Sequence, residues 1–209
     1  MVWTLFFSQV LNGIQLGMLL FLLAAGLTLV FGIMNFVNLS HGSFYMMGAY
    51  FAAATLARTD SFLLAGLAGV VGAMALAWVI ERVALRRLYS HDHLNQVLAT
   101  LGLIMFFNEL VRMIWGSQPL FTAPPSWASG NFAFGDIGYP SYRLLIIGAG
   151  AAVAVGSYLL IHRTRIGMLV RASSTHADMV AALGVNARLL NTALFSVGAG
   201  LAALAGWLV

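Results

Sequence analysis

The chain has 209 residues, of which 61% are hydrophobic and 8% charged. Soluble domains carry about 25% charged residues, so this composition excludes an ordinary soluble domain. There is no Cys, which excludes disulfides and thiolate metal ligands, and the net charge of +4 rests on ten basic residues that are all Arg. In a membrane protein such Arg collects in cytoplasmic loops, and nucleic acid is not implied as a partner.

From Met1 to Ala57 there is no Lys, Arg, Asp or Glu; the first charged residue is Arg58. One helical crossing of a bilayer needs only about 20 apolar residues, so the lipid bilayer is the expected environment. Met1 to Val10 lacks a basic start and a small-residue cleavage site, so the first apolar segment is expected to stay in the mature protein. Hydropathy predicts segments at 5–34, 43–57, 62–80, 94–115, 143–161 and 189–209. Helix is the form expected of them, because no ten-residue alternation of a barrel strand is present. Trp3, Trp78, Trp115 and Trp207 fall near segment ends, as interfacial anchors do.

Orientation follows from Arg. The loop 81–93 holds Arg82, Arg86 and Arg87, and the loop 162–188 holds Arg163, Arg165, Arg171 and Arg188. Both read as cytoplasmic. The loop 116–142, which contains all four prolines, is then external and non-helical. Counting back places the N-terminus outside if 43–57 crosses once; a re-entrant 43–57 would reverse it. Gly66, Gly69 and Gly72, then Gly198, Ala202 and Gly206, repeat at helix-packing intervals. The chain ends at Val209 inside an apolar segment and is expected to be truncated at its C-terminus.

Two polar constellations interrupt this pattern. The first holds Thr28, Asn35, Asn38, Ser40 and His41, punctuated by Gly26, Gly32 and Gly42. Asn and Ser compete for backbone hydrogen bonds and weaken a continuous helix. Polar groups inside such an apolar run are costly in lipid and face other helices or a solvated path. Two readings stay open: the wall or gate of a polar conduit, or a wet turn between two helices. The second constellation runs through 162–188. Thr175 followed by Asp178 forms an N-cap pattern, while Gly184 and Val185 fit the residues after a helix end. A helix over about 176–183 is predicted, with Met179, Val180 and Leu183 on one face. Two turns are not stable alone, so it must pack on something. Glu109 and Arg112 can pair at i, i+3. His91, Asp92 and His93 form a solvated cluster rather than a metal site.

The first constellation resembles the signature of the branched-chain amino acid permeases of ABC importers, through Gly26, Thr28, Gly32, Asn38, His41, Gly42, Tyr45, Met46, Gly48 and Tyr50. The second resembles the same family's coupling loop, through Arg171, Ala181, Leu183, Gly184, Val185, Asn186, Phe195, Gly198 and Gly206. Glu81, Arg82, Arg86, Gly102 and Asn108 also fit, whereas Arg87 stands where members commonly carry Pro. The resemblance covers essentially the whole chain.

It implies an all-α, polytopic bundle, with 1–209 as a single permease domain, 116–142 as an external loop and 162–188 as a cytoplasmic coupling loop. It implies a non-enzymatic subunit of a multi-pass bacterial inner-membrane importer, carrying branched-chain or related hydrophobic amino acids or small amides. The implied partners are cytoplasmic ATP-binding subunits, a second related permease and an external binding protein; no cofactor is implied. A Walker A motif cannot occur in a chain without Lys. The candidate substrate path is Thr28, Asn35, Asn38, Ser40, His41, Tyr45 and Asn108. The candidate coupling residues are Arg171, Thr175, Asp178, Met179, Leu183 and Gly184. The 176–183 helix is expected to dock on an ATP-binding subunit, and the loop aromatics Trp127, Phe132 and Phe134 on the binding protein. The alternative is a secondary transporter or channel for a small polar solute, for which Glu109 is the available acidic candidate. A membrane-embedded enzyme is the third class.

Overall fold

The computed structural model describes residues 2–209 except Ser90, Pro119, Phe121, Gly135, Asp136, His176 and Leu183. Its elements are α1 (Val2–Met34), α2 (His41–Thr59), α3 (Phe62–Val83), α4 (His93–Trp115), β1 (Asn131–Phe134), β2 (Ile137–Pro140), α5 (Ser141–Arg163), α6 (Arg165–Thr175), α7 (Ala177–Ala182) and α8 (Ala187–Trp207). Among the described residues, five helices are long and apolar enough to cross a membrane: α1, α3, α4, α5 and α8. Each of the six predicted segments falls on a helix, although α2, over 43–57, is not among these five and α8 ends two residues before the predicted bound.

Three departures from the sequence reading stand out. The loop 116–142 is not wholly irregular, because β1 and β2 pair antiparallel from Asn131↔Pro140 to Phe134↔Ile137. The loop 162–188 holds two helices rather than one. And the α3–α4 connection starts later than residue 81, since α3 runs to Val83 and a short 3₁₀ turn follows at Leu85–Leu88.

Local chemistry ends the helices. Asn35 adopts φ 47° after α1 and Asp60 adopts φ 49° after α2, a left-handed conformation that Asn and Asp tolerate better than other non-glycine residues. Asn186 caps α8, its Oδ1 accepting the Leu189 N–H at 3.1 Å.

Helix α8 is central, packing on α1, α2 and α3. Backbones meet where side chains are smallest. A Cβ on Gly198 would lie 2.8 Å from the Gly26 carbonyl oxygen, and one on Gly206 would strike the Tyr45 carbonyl. Only small residues permit such approach. Phe44 fills the middle, edge-on to Phe107 at 5.8 Å and to Phe195 at 5.7 Å.

Helix α2 begins inside the bundle, beside Leu23 of α1, and runs toward one end of it. The segment before it contacts the α3–α4 connection through Phe36 and Tyr89, 5.3 Å apart. Just beyond its far end, Phe62 packs on Trp127 of the 116–142 segment at 6.0 Å. Tyr139 bonds Asn12, so the N-terminal part of α1 shares that far end. Both Arg-rich connections meet at the opposite end, where Arg86 reaches Thr192.

Candidate functional site

The first constellation folds into a break between α1 and α2. Residues 35–40 leave helical geometry, yet Phe36 and Ser40 are fully buried and Asn38 nearly so. Non-helical backbone inside an apolar bundle survives only where protein or water covers it. Asn38 organises it: its Oδ1 accepts the Ser40 N–H at 3.1 Å and the Ser40 hydroxyl at 2.6 Å. The Asn38 amide nitrogen is buried with no hydrogen-bond partner among the described residues. An unpaired buried donor costs about 1–3 kcal/mol; the Trp207 indole N–H is the other such donor among the described residues.

His41 opens α2, is 3% exposed, and places Nε2 3.2 Å from the Leu23 carbonyl oxygen. It is neither wet nor in a surface turn. Leu23 lies well inside α1, so α2 starts within the depth of the bundle. Tyr45 follows one turn later on the same face and is half-buried. It borders a cleft of about 420 Å³ between α2, α3 and α8, which is also lined by Tyr50, Phe62, Leu120 and Trp207.

The candidate path residues therefore divide. Asn38, Ser40 and His41 come together, with Tyr45 above them. Thr28, Asn35 and Asn108 are exposed on α1, the break and α4, and this chain does not gather them with the others. Glu109 and Arg112 pair at 3.1 Å on the surface, both about two-thirds exposed.

The second constellation also changes shape. Thr175 ends α6, and its hydroxyl donates to the Arg171 carbonyl at 3.2 Å. Thr175 thus belongs to α6, and His176, between it and α7, lies outside the described residues. The Arg171 guanidinium turns back to the Ile161 carbonyl at the end of α5. The expected helix end holds: Gly184 takes φ 86°, and the Val185 N–H reaches the Val180 carbonyl at 3.4 Å, the long closing bond of a Schellman-type terminus. On α7, Val180 is buried while Met179 is 63% exposed. Asp178 lies on α7 with its side chain outside the description, and Leu183 lies outside the described residues.

Sequence reasoning gave no role to two residues. Glu81, read as part of a loop, is fully buried in the last turn of α3; its Oε2 accepts from Arg86 at 3.1 Å and its Oε1 from the Tyr89 hydroxyl at 3.0 Å. Burial, then the adjacent carboxylate, pushes the Tyr89 phenol well above its ordinary range, so it stays protonated and donates. Gln96 accepts the Val37 N–H from the break at 3.2 Å and donates to the Leu88 and His91 carbonyls at 3.3 and 3.1 Å. The available signals were the Glu81-to-Arg86 spacing and the amides Asn95 and Gln96 in the first turn of a membrane-length helix.

The family described as branched-chain amino acid transport system / permease component matches residues 9–209. The chain is 33% identical over 218 residues to the high-affinity branched-chain amino acid transport system permease protein BraD of Pseudomonas aeruginosa, covering 98% of this chain and 70% of that protein. It is 31% identical over 220 residues to LivH of Escherichia coli, with the same coverage. To the probable permease LivH of Methanocaldococcus jannaschii it is 28% identical, covering 91% of this chain and 62% of that one. No solved structure matches it significantly.

Proposed function

Because the chain belongs to the branched-chain amino acid transport permease family, we propose that it carries branched-chain or related hydrophobic amino acids across a bacterial inner membrane as one permease of an ATP-driven importer. It is a multi-pass membrane protein. Permeases of this kind work with ATP-binding and substrate-binding partners. In our reading these are cytoplasmic ATP-binding subunits, a second related permease and an external binding protein.

The observation that carries the mechanism is the buried polar break at 35–41. A free amino acid is a zwitterion. A path for it needs dipoles that solvate both ends without trapping either, since a transported solute must leave as readily as it enters. Asn38, Ser40 and His41 offer such dipoles, and the Asn38 amide has a donor to spare. The cleft beside Tyr45 suits an aliphatic side chain. Thr28, Asn35 and Asn108, exposed on this chain, would join the path only where the second permease covers them.

At the Arg-rich end, α7 with exposed Met179 offers an apolar anchor for a groove on an ATP-binding subunit, a helix-in-groove contact. Arg171, Thr175, Asp178, Leu183 and Gly184 would shape that surface. At the other end, Trp127 and Phe132 are exposed and would meet the binding protein, as rigid aromatics do at interface hot spots.

The test is reconstitution of the paired permeases with ATP-binding subunits in vesicles, the binding protein outside and ATP inside. We expect uptake of labelled leucine that needs both ATP and the binding protein. Uptake that ignores ATP and follows an ion gradient would instead favour the secondary-transporter reading.

A further inference from the structure

The proposed path and coupling surface leave unused the polar groups gathered around buried Glu81 between α3 and α4. They form an unbroken line. At one end Thr192, fully buried near the base of α8, accepts from the Arg86 guanidinium at 2.7 Å. Arg86 pairs with Glu81 at 3.1 Å. Glu81 accepts from Tyr89 at 3.0 Å. The Tyr89 ring then packs edge-on against Phe36 inside the break, 5.3 Å between centroids and 74° between planes.

The two ends of the line belong to the two functional regions. Thr192 sits near the start of α8, just after α7 and the Gly184 terminus. Phe36 sits in the break, two residues before Asn38. We infer that Arg86, Glu81 and Tyr89 are positioning residues that relay displacement of the α7–α8 base to the break; this rests on the permease reading.

The physical reason is the burial of Glu81. A buried carboxylate cannot stay charged without its partners. If the base of α8 shifts, Arg86 either follows Thr192, with Glu81 and Tyr89 bonded behind it, or gives up its charge-assisted bond to the Thr192 hydroxyl. Arg86 and Glu81 stay paired in both cases, so Glu81 and Tyr89 move whenever the Thr192 bond holds. Packed elements also respond in discrete steps rather than by smooth bending. Phe36 is fully buried against the Tyr89 ring, so a moving Tyr89 ring must repack the break.

The test uses the absence of Cys in the chain. A single Leu39→Cys, in an exposed position of the break, reports its accessibility in the full complex through its rate of maleimide labelling. We expect that rate to differ about fivefold between nucleotide-free and nucleotide-trapped complexes. Adding Tyr89→Phe, which keeps the ring, or Thr192→Val, which keeps the shape, should bring the ratio near one. The pair together should add nothing further, as for two members of one line. A merely structural role would lower the yield of complex and leave the ratio per assembled complex intact. A parent ratio near one, or variants that keep the parent ratio, overturns the relay. Leucine uptake is read on the same vesicles. Failed uptake with an intact, variant-sensitive ratio counts against the substrate reading and leaves the relay standing.

Discussion

Helices α5 and α8 are similar in length and both are apolar enough to cross a bilayer, yet their fates are opposite. In α8, 61% of the membrane-length window is buried, against 11% in α5, although α5 is the more apolar of the two. In water the ranking would be reversed. In lipid the surroundings are as apolar as the core, so apolarity does not decide which helix is inside; close packing and polar partners do. Helix α8 buries Gly198, Ala199, Ala202, Ala203, Ala205 and Gly206, and hides Thr192 and Ser196 by bonding their hydroxyls to its own backbone at 2.8 and 2.9 Å. Helix α5 buries Ile146 and Gly150 and shows Val155, Tyr158, Leu159 and Leu160 outward.

The contrast can be broken most strongly at its polar end. Arg86→Met leaves the Glu81 carboxylate buried without its cation. Removing one partner of a buried pair costs about 3–5 kcal/mol, and the partial exposure of Arg86 places this case near the low end. The expected result is a large fall in the thermal midpoint of the detergent-solubilised protein. Next comes Gly206→Leu on α8. Its Cβ would meet the Tyr45 carbonyl, and overpacking of this kind costs about 1–3 kcal/mol. The same assay should show it clearly, whereas an unchanged midpoint would mean that α8 does not lie against α2. The smallest effect sharpens the other side. Gly156→Ala on α5 meets nothing within 4 Å, so helix propensity alone acts and the shift should be neutral or stabilising by no more than about 1 kcal/mol. A destabilised Gly156→Ala protein would show that α5 is packed where the contrast says it is free.

Much of this arrangement could be read from the residues. The charge-free start, the Arg-rich connections and the small-residue spacing at Gly198, Ala202 and Gly206 anticipated the helices, their polarity and the close contact with α8. Three features escaped for physical reasons. Helix α6 carries Arg165, Arg171 and a Ser-Ser-Thr end, so hydropathy does not mark it. Thr175 has two ways to satisfy its hydroxyl, forward as a cap or back to a carbonyl, and sequence cannot say which bond forms. Glu81 looks like a loop residue because a charge normally ends an apolar segment; its partners Arg86 and Tyr89 lie close by in sequence, but Thr192, which holds Arg86, is brought there only by the fold. Within the site, the grouping of Asn38, Ser40 and His41 was legible because they are neighbours in sequence. The separation of Thr28, Asn35 and Asn108 from them depends on which face of each element turns inward, and in an apolar segment without strong periodicity that face is not encoded locally.

The central claim is that transport runs through the polar break packed in the bundle and not along its apolar exterior. The direct measurement is ATP-driven leucine uptake by vesicles carrying Asn38→Leu, compared with Val155→Leu on α5, with saturating binding protein. Loss of a polar partner worth about 1–3 kcal/mol in the transition state slows the rate between about fivefold and about a hundredfold. We predict that slowing for Asn38→Leu, with the binding protein's affinity for leucine unchanged, and parental uptake for Val155→Leu. Full uptake by the Asn38→Leu protein would contradict the claim and reduce the break to a packing feature.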